Sequence, residues 1–119
     1  MSDSPTPDAS DLPIEVDVTT VAAMQQRGDD FVLLDVREQD EYDFAKLPGS
    51  RLVPMSQLAD RMADLDPHRD DHIVVHCHHG GRSMHVTRAL QSAGFTRVQN
   101  MAGGIDAWSQ LVDQSVPRY

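Results

Sequence analysis

Ile73-Val74-Val75-His76-Cys77-His78-His79-Gly80-Gly81-Arg82-Ser83 is the stretch whose reading decides the fold. It opens as a short apolar, β-branched run, the pattern of a buried strand. Beyond it, Val86, Ala89, Leu90 and Ala93 recur at i, i+3, i+4 and i+7, the spacing of one helix face. His76 to Ser83 therefore joins a strand to a helix, and it holds the only cysteine of the chain. Gly80 and Gly81 let this connection bend through conformations that side chains forbid, and they leave its amides uncovered. Such a loop binds anions.

A thiol attacks as its thiolate, and an ordinary cysteine, with a pKa of about 8.5, is only slightly ionised at neutral pH. Cys77 stands at a strand's carboxyl end and just before a helix, where unpaired N–H groups, the helix dipole and Arg82 all favour an anion. Lowering the pKa by about two units takes roughly 2.7 kcal/mol, whereas a helix terminus supplies roughly 0.3–1 kcal/mol. Loop amides and Arg82 have to supply the rest, and Cys77 is read as a nucleophile. Two competing readings fit less well. As a small buried hydrophobe, Cys77 would be poorly served by two glycines and an arginine beside it. As a zinc site, the consecutive His76, Cys77, His78 and His79 could not readily converge on one tetrahedral ion, and no second pair of cysteines exists. No metal is expected. No Gly-x-x-x-x-Gly-Lys-Ser/Thr occurs, which excludes a phosphate-binding nucleotide loop, and no cofactor is expected.

Outward from the loop, strands and helices alternate. Residues 1–13 contain three prolines and little to bury, and read as a disordered leader. Ile14, Val16 and Val18 alternate with acidic residues as a half-buried strand, after which Thr19 or Thr20 caps a helix ending near Gly28. Phe31–Leu34 is a second strand running into Asp35-Val36-Arg37-Glu38. Asp35 and Arg37 are read as structural support, with Arg37 bonding a nearby carboxylate such as Glu41. Glu38–Phe44 is a short helix, Arg51–Val53 a third strand, and Ser56 the N-cap of a helix whose apolar face is Leu58, Met62 and Leu65. The methionines there are core filler. His72–His76 is the fourth strand, with His76 a shell residue at its end. The next helix runs from Ser83 to Gly94 with His85, Arg88 and Ser92 on its solvated face, and Val98–Asn100 is the fifth strand. Gly103-Gly104 opens a last helix in which Ile105, Trp108 and Leu111 share a face and Trp108 packs in the core. Residues 113–119 form a C-terminal tail without identifiable chemistry. This alternation implies an α/β layer built on a mainly parallel sheet.

The Cys77-x-x-x-x-Arg82 loop, followed by Ser83 and a helix, resembles the active-site loop of rhodanese-type sulfurtransferases. Asp35-Val36-Arg37-Glu38, Leu47-Pro48-Gly49-Ser50 and Asn100-Met101-Ala102-Gly103-Gly104-Ile105-Asp106-Ala107-Trp108 resemble that family's segments, in its order. Where many relatives have His-Ile-Pro-Gly, this chain has Lys46-Leu47-Pro48-Gly49. The resemblance implies a single rhodanese-like domain over 14–112, with a five-stranded central sheet flanked by helices and the site at the strands' carboxyl ends. It also implies an enzyme of the thiosulfate sulfurtransferase type. Cys77 would take a sulfane sulfur from thiosulfate or another persulfide donor and become a persulfide. It would then pass the sulfur to a thiophilic acceptor, namely cyanide, a thiol or a protein. His78, His79, Gly80, Gly81, Arg82 and Ser83 would form the substrate loop, with one of the two histidines as a pocket wall. Ser83 would be an N-cap that secondarily bonds the sulfur. Two alternatives stay open. A noncatalytic persulfide carrier needs the same cysteine. Related phosphatases and arsenate reductases share the loop logic, but they have one more residue between cysteine and arginine than the four found here.

Length and charge narrow the partners. At 119 residues and 39% hydrophobic content the chain fits one domain. With 19 acidic and 10 basic residues, a formal charge of −9 and no basic run, nucleic acid and anionic membranes are excluded as partners. An anionic donor is repelled by such a body, so Arg82, partly protonated His78 and His79, and Arg51 are expected to make a local positive pocket. No apolar stretch approaches the roughly 20 residues of a spanning helix and no signal-peptide core is present, so the protein is read as soluble and cytoplasmic. A single cysteine precludes an internal disulfide.

Overall fold

Parallel strands need crossover connections, and the helices that make those connections cover both faces of the sheet. The computed structural model, which describes residues 12–119, has this architecture. Its elements run β1 (Glu15–Val16), α1 (Val18–Arg27), β2 (Val32–Asp35), α2 (Gln39–Phe44), β3 (Ser50–Leu52), α3 (Leu58–Leu65), β4 (His72–His76), α4 (Gly81–Ser92), β5 (Arg97–Met101) and α5 (Gly104–Leu111). Short 3-10 turns flank α3. The strand order is β1-β5-β4-β2-β3 and every pairing is parallel. This is the expected five-stranded α/β sheet. The leader read over 1–13 lies outside the described residues apart from Leu12 and Pro13.

Strand periodicity divides the interior into two cores. Leu33 and Val74 join Val18, Val21 and Met24 of α1 and Ile105 and Trp108 of α5. Leu34, Ile73 and Val75 face the other way, onto Leu65 of α3 and Val86 and Leu90 of α4. Trp108 is core, as its spacing predicts. From β2 the chain leaves toward β3, whereas from β4 it leaves the opposite way toward β5. The carboxyl ends of β2 and β4 therefore border a crevice, the usual place for a site in an open parallel sheet. There Asp35 lies opposite His76 in register, and Cys77 comes next.

Several local expectations are corrected. The cap of α1 is Asp17, whose Oδ1 accepts from the Thr20 amide at 2.8 Å; Val18 thus opens the helix instead of extending β1. Ser56 is not a cap. It sits in a 3-10 turn and donates to Glu38 Oε1 at 2.7 Å. Ser83 is not a cap either: α4 starts at Gly81 with Gly80 as its N-cap, so Ser83 lies within the first turn, fully buried. Leu111 is 69% exposed. Two successive steps of three residues carry a side chain about 120° around a helix, away from the Ile105 face.

Candidate active site

Gly80 adopts φ 116°, which side chains disfavour, and the bend turns the chain from β4 into α4 around the sulfur of Cys77. Three donors reach Sγ: the Gly80 amide at 3.1 Å, the Ser83 amide at 3.4 Å and the Ser83 hydroxyl at 3.3 Å. Burial pushes the Cys77 thiol up. Hydrogen bonds from the Ser83 hydroxyl and from the Ser83, Gly80 and His79 amides outweigh it, and the net direction is down from the ordinary value. The Ser83 hydroxyl is also within bonding distance of Asn100 Oδ1. It has one proton, so it can donate to the sulfur or to the amide, not to both. Asn100 is held by its Nδ2, which donates to the Gly80 carbonyl at 3.2 Å and to Glu15 Oε2 at 3.4 Å.

The start of α5 secures the same loop. The Ile105 amide donates to the Cys77 carbonyl at 2.9 Å and the Asp106 amide to the His78 carbonyl at 3.1 Å. Helix-terminal amides that lack partners within α5 are thereby spent on the loop. The approach depends on Gly104, at φ 58°, because a Cβ there would run into the Cys77 and His78 carbonyl oxygens.

Beneath the loop, Asp35 and Arg37 form a fully buried pair, Arg37 Nη2 donating to Asp35 Oδ2 at 2.7 Å. All five guanidinium donors of Arg37 are used: Nε and Nη2 on Asp35, Nη2 on the Ala45 carbonyl, and Nη1 on the Glu41 carbonyl and the Tyr119 hydroxyl. The carboxylate partner of Arg37 is thus Asp35, not Glu41. Glu41 binds Arg82 instead, in a two-pronged pair at 2.7 and 2.8 Å. Arg82 holds the Glu41 carboxyl at about 2, and Glu41 in turn raises Arg82. His76 is fully buried and neither ring nitrogen has a hydrogen-bond partner among the described residues; its Nε2 lies 3.8 Å from Asp35 Oδ2. Burial, reinforced by Arg37 and opposed by Asp35, lowers it to about 4, so it is neutral at ordinary pH.

The two loop histidines point into different surroundings. His78 is half-buried between the ring of His79 and the ring of Tyr119, with Tyr119 stacked on it at 3.9 Å and 7°. Burial, with His79 adding to it, lowers the pKa of His78. The His79 side chain is exposed, with Nδ1 3.8 Å from Asp106 Oδ2. Arg51 engages His68 at 2.9 Å. The expected positive pocket of Arg82, His78, His79 and Arg51 is therefore not assembled: Arg82 is neutralised, His78 favours its neutral form and Arg51 is spent on His68. Gly81 opens α4 and faces open space.

Sequence reasoning missed the pairing of Glu41 with Arg82 and missed Tyr119 altogether. Tyr119 donates to Glu41 Oε2 at 2.8 Å and accepts from Arg37 Nη1 at 2.9 Å, while Val116 is buried against the α5 core. Residues 113–119 thus fold back over the site instead of trailing from it. The available signal was an aromatic and a valine in a stretch otherwise suited to solvent. Among the described residues no group of three or more His, Cys, Asp or Glu is placed to hold a metal ion, and no helix is long and apolar enough to cross a membrane. A cavity of about 630 Å³ lies at the opposite end of the sheet, beside Glu15, Asp17, His72 and Arg97.

Comparison with known proteins points the same way as the geometry. The profile of the rhodanese-like domain matches residues 17–111. The chain is 43% identical over 95 residues to the Arabidopsis thaliana rhodanese-like/PpiC domain-containing protein 12, chloroplastic, covering 76% of this chain and 31% of that protein. It thus spans less than a third of the length of that relative. It is 30% identical over 96 residues to a sulfurtransferase of Allochromatium vinosum, covering 81% of this chain and 88% of that one. The solution structure of the rhodanese-like domain of an Anabaena protein superposes with a TM-score of 0.77 at 24% identity, over 85% of this chain and 76% of that one, a likeness of fold.

Proposed function

The chain belongs to the rhodanese-like domain family, and on that premise we propose that it is a sulfurtransferase working through a persulfide on Cys77. A sulfane sulfur comes from thiosulfate or another persulfide donor and goes to cyanide, a thiol or a protein. The observation that carries the reading is the set of three donors aimed at one buried sulfur. A cysteine that only filled a core would need none of them. In the first step the Cys77 thiolate attacks the outer sulfur of the donor, the donor's bond to that sulfur breaks, and the leaving group departs with the electron pair. In the second, an acceptor nucleophile takes the terminal sulfur and the thiolate returns. No oxidant is consumed. The Gly80 and Ser83 amides hold the anionic sulfur at both stages, and the Ser83 hydroxyl joins them when its proton turns from Asn100 to Sγ. His78 and His79 wall the loop, Gly81 and Arg82 complete it, and Asp35 and Arg37 support the strand end beneath it. By analogy with related phosphatases and arsenate reductases, whose loops are one residue longer, the gap of four residues between Cys77 and Arg82 supports sulfur over phosphoryl transfer. The reading includes a reducing, cytoplasmic setting, where a lone thiol stays free.

The test is the intact mass of the protein before and after incubation with thiosulfate and with cysteine persulfide, followed by cyanide. A gain of one sulfur atom that cyanide removes, absent in Cys77→Ser, is expected. Loading of the serine variant, or no loading of the wild type by either donor, would sink the assignment. Turnover beyond one equivalent separates an enzyme from a carrier.

A further inference from the structure

The cations around Cys77 are engaged before any substrate arrives. Arg82 Nη1 and Nη2 each donate to a carboxylate oxygen of Glu41, at 2.7 and 2.8 Å. Arg37 is consumed by Asp35 and by carbonyls. His79 faces Asp106, which also accepts from Arg118 Nε at 3.0 Å. Tyr119 completes the closure, since its ring covers His78 while its hydroxyl ties Glu41 to Arg37. Cys77 itself is 1% exposed. Held at about 2 by Arg82, Glu41 stays ionised at every ordinary pH, so protonation does not release the pair.

Donors differ in what they ask of such a site. Thiosulfate brings two negative charges, and on transfer it leaves as sulfite, again with two, so both its binding and its departure call for a free cation. An alkyl persulfide, R–S–SH, asks less: the Cys77 thiolate bonds to the outer sulfur, the S–S bond breaks, and R–S⁻ leaves with a single charge. Cys77 is left as a neutral persulfide, with atoms and electrons balanced. Resting on the sulfur-transfer reading above, we propose that Glu41 and Tyr119 determine donor specificity. By keeping Arg82 from oxyanions, they make an alkyl persulfide, borne by a small thiol or by a protein, the preferred donor over thiosulfate.

The experiment compares kcat/KM for thiosulfate, cysteine persulfide and a persulfidated peptide in the wild type, Glu41→Gln and Tyr119→Phe. The wild type is expected to prefer one of the persulfides over thiosulfate, the better of the two naming the source. Glu41→Gln is expected to raise the thiosulfate-to-persulfide ratio about tenfold, with Tyr119→Phe moving it the same way by less. A fold weakened by substitution lowers all donors together and leaves the ratio alone. Wild type that prefers thiosulfate, or a ratio unmoved by both variants, overturns the specificity inference while Cys77 loading still stands. Loading from none of the donors removes the sulfur-transfer reading along with it.

Discussion

A single proton on Ser83 decides how strongly the sulfur of Cys77 is held as an anion, because Sγ and Asn100 Oδ1 both lie within its reach. Ser83→Ala is expected to raise the thiol pKa, because the thiolate loses a hydrogen bond that favours its charged form. The rate of alkylation of Cys77 against pH reads this directly, and an unmoved midpoint would assign the thiolate to the amides alone. His76 makes a second prediction. Its pKa is about 4 in the fold against 6.5 when unfolded, so between those values the unfolded chain takes up a proton that the folded one refuses. Stability is fully present above about pH 6.5 and is lost as pH falls toward 4, by up to about 3 kcal/mol. Urea denaturation across this window should show the slope, and His76→Leu should lack it. Glu41 works in a lower window: its folded value of about 2 lies below the ordinary 4.5, so its contribution is present above 4.5 and lost as pH falls toward 2. Of these residues Cys77 and the bond from Ser83 to its sulfur were legible as chemistry in the sequence, because their neighbours along the chain are also their neighbours in space.

At the scale of elements, the loop is held between the start of α4, which supplies donors to the sulfur, and the start of α5, which takes up the loop's first two carbonyls. Gly104 carries the second contact. Gly104→Ala is expected to cost more than about 2 kcal/mol, since it combines a left-handed backbone with a collision against the Cys77 and His78 carbonyls. Gly28→Ala, also left-handed but in open space, should cost only about 1 kcal/mol. Thermal unfolding of the pair measures the difference, and equal losses would show that the α5 contact is not what constrains residue 104. Strands and helices were readable from apolar periodicity nearly to their ends. Their caps were less so, because Asp17, Thr19 and Thr20 are all good cap residues and Ser56 and Ser83 differ from true caps only in backbone geometry.

At the scale of the molecule, a formal charge of −9 surrounds a loop whose cations are paired. Thiosulfate transfer should therefore accelerate as salt rises from about 0.01 to 0.15 M, where screening shortens from roughly 30 to 8 Å, and a donor of lower charge should respond less. A rate that falls with salt would reveal a locally positive mouth. The same contrast separates what each level of structure governs. Sequence by itself determined the α/β alternation, the parallel sheet, the strand–loop–helix around Cys77 and the four-residue gap to Arg82, since all of these are set by spacing within about ten residues. Only tertiary structure decided which carboxylate meets which guanidinium. Glu41 lies 41 residues from Arg82, and Tyr119 lies 78 from Glu41. No periodicity links positions so far apart; they meet because the sheet order sets β2 beside β4 and because Val116 anchors the chain's return across α5.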